Sequence, residues 1–122
     1  MVVLADGVDI LLFRSDVIKS HPDAVKAAVT GWYKAVDYWK HNPDESDALM
    51  AKAVGGWLKD VKTFRETLAG VRFYDQGINQ SYFKPGGQIY VTAQNAVDIW
   101  KSFGMIREKV AAADLIDPEF IR

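Results

Sequence analysis

The sequence has no cysteine, which excludes a disulfide framework, a thiolate metal site and a cysteine nucleophile together. Neither charge sign is in excess. The 15 Lys and Arg and 16 Asp and Glu leave a net charge of −1, so there is no basic field for nucleic acid and no acidic tail for a basic partner. Apolar runs such as Ile10 to Phe13 are far shorter than the roughly 20 residues a spanning helix needs. Met1 is not followed by a basic and then apolar export signal, so the chain as it stands reads as soluble and unexported. Only His21 and His41 could offer imidazole. They flank one predicted helix at a separation of roughly thirty ångströms, too far to share a metal.

What is present suffices for one domain: 122 residues, 49% of them apolar. The segment around which the others arrange is 22–41, PDAVKAAVTGWYKAVDYWKH. Val25, Ala28, Val29, Trp32, Val36 and Trp39 recur at steps of three and four, which predicts a helix with one covered stripe. Asp23, Lys26, Thr30, Lys34, Asp37 and Lys40 form a mixed-sign outer face. Pro22 opens this helix, and Asn42-Pro43-Asp44-Glu45 closes it and starts a second, over 43–54, which Gly55-Gly56 stops. A third helix is expected at 58–69, with Leu58, Val61, Phe64, Thr67 and Leu68 inward. A fourth is expected at 88–103, with Ala93, Ala96, Val97, Trp100 and Phe103 inward. Between them, 71–87 loses periodicity and reads as a loop, while Ala112 to Ile116 reads as a short turn before the Asp117-Pro118 break.

Strand-like material is confined to the start, at 2–4 and 8–13, with Val8, Ile10, Leu11, Leu12 and Phe13 interrupted by Asp9. Ser15 reads as the cap of a single turn over 16–20 that leads into the long helix. A strand followed only by helices leaves a row of unpaired backbone groups. The partner strands therefore belong to sequence not present here or to a second copy of the chain.

The order GVDILLFR, HPDAVKAAVTGWYKAVDYWKHNPDE, VRFYDQGINQSYF, GGQIYVTAQNAVDIWKSFGMI and LIDPEFIR resembles the C-terminal part of ABC-importer solute-binding proteins of the nitrate, sulfonate, taurine and thiamine-precursor group. The resemblance runs over essentially the whole chain and consists of many positions without a unique signature. It implies an α/β fragment, mostly α-helical: one N-terminal hinge strand followed by four or five helices, within a lobe of a type II periplasmic-binding-protein fold. It also implies a parent protein in the periplasm or at the cell surface, a small-molecule ligand and an ABC permease as partner, with no cofactor. Where relatives commonly carry an acidic run after Ser or Thr, this chain has Gly55-Gly56-Trp57-Leu58.

The polar residues divide between two uses. Asp9, in its apolar strand, either accepts hydrogen bonds from a ligand in an interlobe cleft or is a strand-end acid facing water. Asp75, Gln76, Asn79 and Gln80 with Tyr74, Tyr82 and Phe83 form either a ligand or lobe contact or a loop held by its own side chains. Asp9, Gln76, Asn79 and Tyr82 are the expected ligand-binding residues. Pro85-Gly86-Gly87 before the fourth helix is an anion seat or a plain turn. Trp32, Trp39, Trp57 and Trp100 read chiefly as core. No nucleophile elbow or other catalytic spacing surrounds any Ser, and the carboxylates are dispersed, so the expectation is a binding module and no enzyme. The alternative is a helical module that dimerises through 8–13 and takes no small molecule.

Overall fold

The computed structural model describes residues 7–121, and 69% of them are helical. The elements are α1 (Ser15–Ser20), α2 (Pro22–His41), α3 (Pro43–Val54), α4 (Val61–Leu68), α5 (Gln76–Phe83) and α6 (Gln88–Ser102). Short 3-10 turns occupy Gly56–Lys59, Ala112–Asp114 and Glu119–Ile121. No helix among the described residues is long and apolar enough to cross a membrane.

The long helix is the spine. Val25, Val29 and Val36 are buried on it, as its apolar period requires. Phe73 stands edge-on to both Trp32 and Trp39, with ring centroids 5.9 and 5.1 Å apart. The Trp32 indole N–H donates to the Tyr74 carbonyl at 2.9 Å, which lays the segment before α5 along α2. Pro43 at the first position starts α3 without an unsatisfied donor, and Asn42 Nδ2 donates to the Tyr38 carbonyl at 3.2 Å across the joint.

Three helices meet at one buried carboxylate. Asp47 of α3, 5% exposed, accepts from the Trp39 indole of α2 at 2.8 Å and from Arg65 Nε of α4 at 2.6 Å. Arg65 also bonds Asp44. Burial pushes the Asp47 carboxyl up, but the Trp39 and Arg65 donors outweigh it and hold the group below the usual carboxylate range. At the other end, α5 packs on α6, and the Ala112–Asp114 turn covers α6, where Gln94 Oε1 accepts from the Ala112 N–H at 3.2 Å. The Glu119–Ile121 turn returns to touch both α2 and α5.

Several expectations change; Ser15 is the first residue of α1 and not its cap, which is Arg14, and Trp57, read as core, is 73% exposed. Residues 8–13 are not a strand: the segment is irregular, with Ile10, Leu11 and Leu12 exposed by 57, 58 and 81%. A strand needs a ladder partner, and none is available to it among the described residues; residues 2–4 lie outside them. The third helix begins at Val61 and not at 58, because the Asp60 carboxylate accepts from the Thr63 N–H at 2.9 Å and fixes the cap there, with a 3-10 turn before it. The loop over 71–87 contains α5. Finally, of the stripe expected inward on the last helix Val97 is buried, together with Ile89, whereas Trp100 and Phe103 are 50 and 74% exposed.

Candidate functional site

The outer face of α2 is not simply solvent. Thr30, Tyr33, Lys34, Asp37 and Lys40 form one wall of a groove of about 540 Å³, whose other walls are Asp75, Gln76 and Gly77 at the start of α5 and Phe120 from the terminal turn. Both walls follow from local rules. Steps of three and four along α2 set its five residues on one side of the helix. Asp75 caps α5, its Oδ1 accepting from the Ile78 N–H at 2.9 Å, which fixes where the helix begins and so where Gln76 and Gly77 stand.

Lys40 pairs with Asp75 across the groove. That ammonium, with the Ile78 N–H, holds the Asp75 carboxyl below its usual range. Lys34 has no ion pair among the described residues. Among the described residues, the ion-pair neighbour of the Asp37 carboxylate is His41 Nδ1, at 3.6 Å, and that nitrogen sits 2.8 Å from the Asp37 carbonyl oxygen. The buried Tyr33 hydroxyl has no hydrogen-bond partner among the described residues, and burial raises its pKa above the ordinary phenol value.

The four expected site residues separate. Gln76 lines the groove. Asn79 does not line it; its amide donates to the Tyr74 and Asp75 carbonyls at 3.0 and 2.9 Å and so locks the first turn of α5. Tyr82 stacks edge-on against Tyr74 at 5.1 Å. Asp9 is exposed in the irregular segment and lines no part of the groove. Lys34, Asp37, Lys40 and Phe120 went unread as site residues because nothing local in the sequence brings residue 120 back to the outer face of α2.

Pro85 and Lys84 border a second, smaller crevice of about 240 Å³ with Gln80, Phe83, Tyr90, Pro118 and Ile121, beside the start of α6. No group of three or more His, Asp or Glu suited to a metal occurs among the described residues. The chain matches no protein-family description, no curated protein and no solved structure.

Proposed function

We propose that this chain is the C-terminal segment of a solute-binding component of an ABC-type importer, serving capture of a small anion such as nitrate, a sulfonate or taurine, or of a thiamine precursor. Residues 8–13 would be the hinge strand of a type II binding-protein lobe, set among strands that other sequence supplies. The reading rests first on the resemblance of the ordered segments. The observation that carries it is uncovered apolar surface. The chain exposes 9597 Å², whereas a compact folded chain of 13.7 kDa exposes about 6,600 Å². Exposed apolar side chains contribute to the excess. Ile10, Leu11 and Leu12 are three consecutive apolar residues exposed by more than half, a run that suits a strand buried on two faces in a larger sheet. Along α6 and at its C-terminal cap, Val91, Ile99, Trp100 and Phe103 are also exposed, each by about half or more.

In this reading the ligand selects a closed state by touching both lobes, with the permease as the downstream partner. The test is to read the coding sequence upstream and produce the longer polypeptide. Calorimetry with nitrate, taurine, an alkanesulfonate and a thiamine precursor should give tight binding for that product and none comparable for the 122-residue chain. An upstream stop codon in frame, or tight binding of one of these solutes by the short chain alone, would overturn the reading.

A second reading, a homodimer through 8–13 with no small-molecule role, is favoured by the same exposed Ile10, Leu11 and Leu12. Light scattering separates the two: a concentration-dependent dimer abolished by Leu11→Lys supports strand exchange, and a monomer at high concentration rejects it.

A further inference from the structure

The groove between α2 and α5 carries charges that its own residues leave half-compensated. Lys40 and Asp75 neutralise each other. Lys34 and Asp37, three residues apart on the same wall, pair neither with each other nor with those two. His41 Nδ1 lies 3.6 Å from the Asp37 carboxylate, beyond hydrogen-bond reach, and sits 2.8 Å from the Asp37 carbonyl oxygen instead. Among the described residues, the groove thus presents the Lys34 ammonium without an ion pair and the Asp37 carboxylate without a hydrogen bond, on Cβ atoms about 5–6 Å apart. The Tyr33 ring and Phe120 give it apolar walls, while Thr30 and Gln76 add neutral polar groups.

We propose that this groove binds a small zwitterion of the amino-acid type, its carboxylate against Lys34, its ammonium against Asp37 and its apolar remainder against Tyr33 and Phe120. The chemistry discriminates against simpler solutes. A plain anion satisfies Lys34 but sets a second negative charge beside Asp37, and a plain cation meets the reverse penalty at Lys34. Only a solute carrying both charges a few ångströms apart answers both groups at once. The volume suits such a molecule, being within the usual range for small-ligand sites. This inference stands apart from the receptor reading, because every wall of the groove comes from the described residues.

The experiment is an amide-resolved NMR titration of the 122-residue chain with three probes on one carbon skeleton: L-leucine, 4-methylpentanoate and isoamylamine. L-leucine should shift amides of 30–40 and 75–77 saturably, with a dissociation constant near the millimolar range that befits an open, partly solvated site. The two single-charge analogues should bind about fivefold more weakly or worse, and Lys34→Met and Asp37→Asn should each weaken L-leucine by a similar factor. Both substitutions are at exposed positions, and unchanged thermal unfolding would show that each variant is folded. Absence of saturable shifts, equal affinity for the three probes, or indifference to both substitutions would overturn the proposal. Binding of the carboxylate analogue alone would do the same while leaving an anion receptor intact.

Discussion

A Cβ placed on Gly87 would collide with the Tyr82 carbonyl oxygen and lie 2.8 Å from the Lys84 carbonyl oxygen. Both obstacles are backbone, and the Gly87 N–H donates to that Lys84 carbonyl at 2.7 Å, so neither can move without opening the turn that starts α6. Gly87→Ala should therefore destabilise the chain by about 1–3 kcal/mol, the usual cost of overpacking, read as a lowered urea midpoint. Gly31 is the opposite case. It lies inside α2 with no atom within 4 Å of an added Cβ, so Gly31→Ala should raise stability by about 0.5–1 kcal/mol. Equal effects at the two sites would show that the turn before α6 relaxes freely.

The helices depend on the carboxylate where three of them meet. Removing the indole donor by Trp39→Phe keeps much of the ring contact with Phe73 but leaves Asp47 with Arg65 alone. The expected loss is about 1.5–3 kcal/mol, as for other hydrogen bonds to a charged group. The same node makes stability fall in acid. The folded pKa of Asp47 lies below its unfolded value, so its contribution is complete above the unfolded value near 4 and disappears as pH drops through the folded one. Asp75, lowered by Lys40, acts in the same direction. Acid unfolding monitored by circular dichroism should therefore begin below about pH 4, and Asp47→Asn should be less stable at pH 7 yet lose less of its stability between pH 5 and 2. A variant that lost as much over that interval as the parent would remove Asp47 from the account.

These elements also divide what is legible in sequence from what is not. Helices α2 and α3 could be read to the residue because Pro22, Asn42-Pro43 and Gly55-Gly56 place their ends by local chemistry. Helix α5 escaped because QGINQSYF has no apolar period and its start is set by a single side chain, Asp75, capping Ile78. Trp100 and Phe103 were assigned inward because a period reveals the apolar stripe they share with Ile89 and Val97 without saying how far along it the cover extends, and they stand at the last turn and cap of α6. The groove was legible only at Asp75 and Gln76. Its other walls depend on the terminal turn folding back over α2, a long-range event with no local signature.

At the scale of the whole molecule, the surface is too large for the mass. An unfolded chain of 13.7 kDa exposes about 20,000 Å², so with 9597 Å² left after folding the chain buries only about half, where even a 60-residue domain buries about 60%. The excess over a compact protein is on the order of 2,000–3,000 Å², more than a standard protein–protein interface buries. Since the urea m value scales with surface exposed on unfolding, the isolated chain should give an m value about a fifth below that usual for 122 residues. Its radius of gyration by small-angle scattering should exceed the roughly 14 Å expected for a compact chain of this length. Because Leu12, Trp57, Phe103 and Met105 are each more than two-thirds exposed, covering those faces should correct both quantities together. If the longer polypeptide supplies the cover, its m value per residue rises to the ordinary range and its unfolding becomes a single transition. If a second copy supplies it, both quantities approach the compact values only as protein concentration increases. A dilute monomer that already has an ordinary m value and a radius near 14 Å would mean that the 122-residue chain closes on itself, and the case for a missing cover would fail.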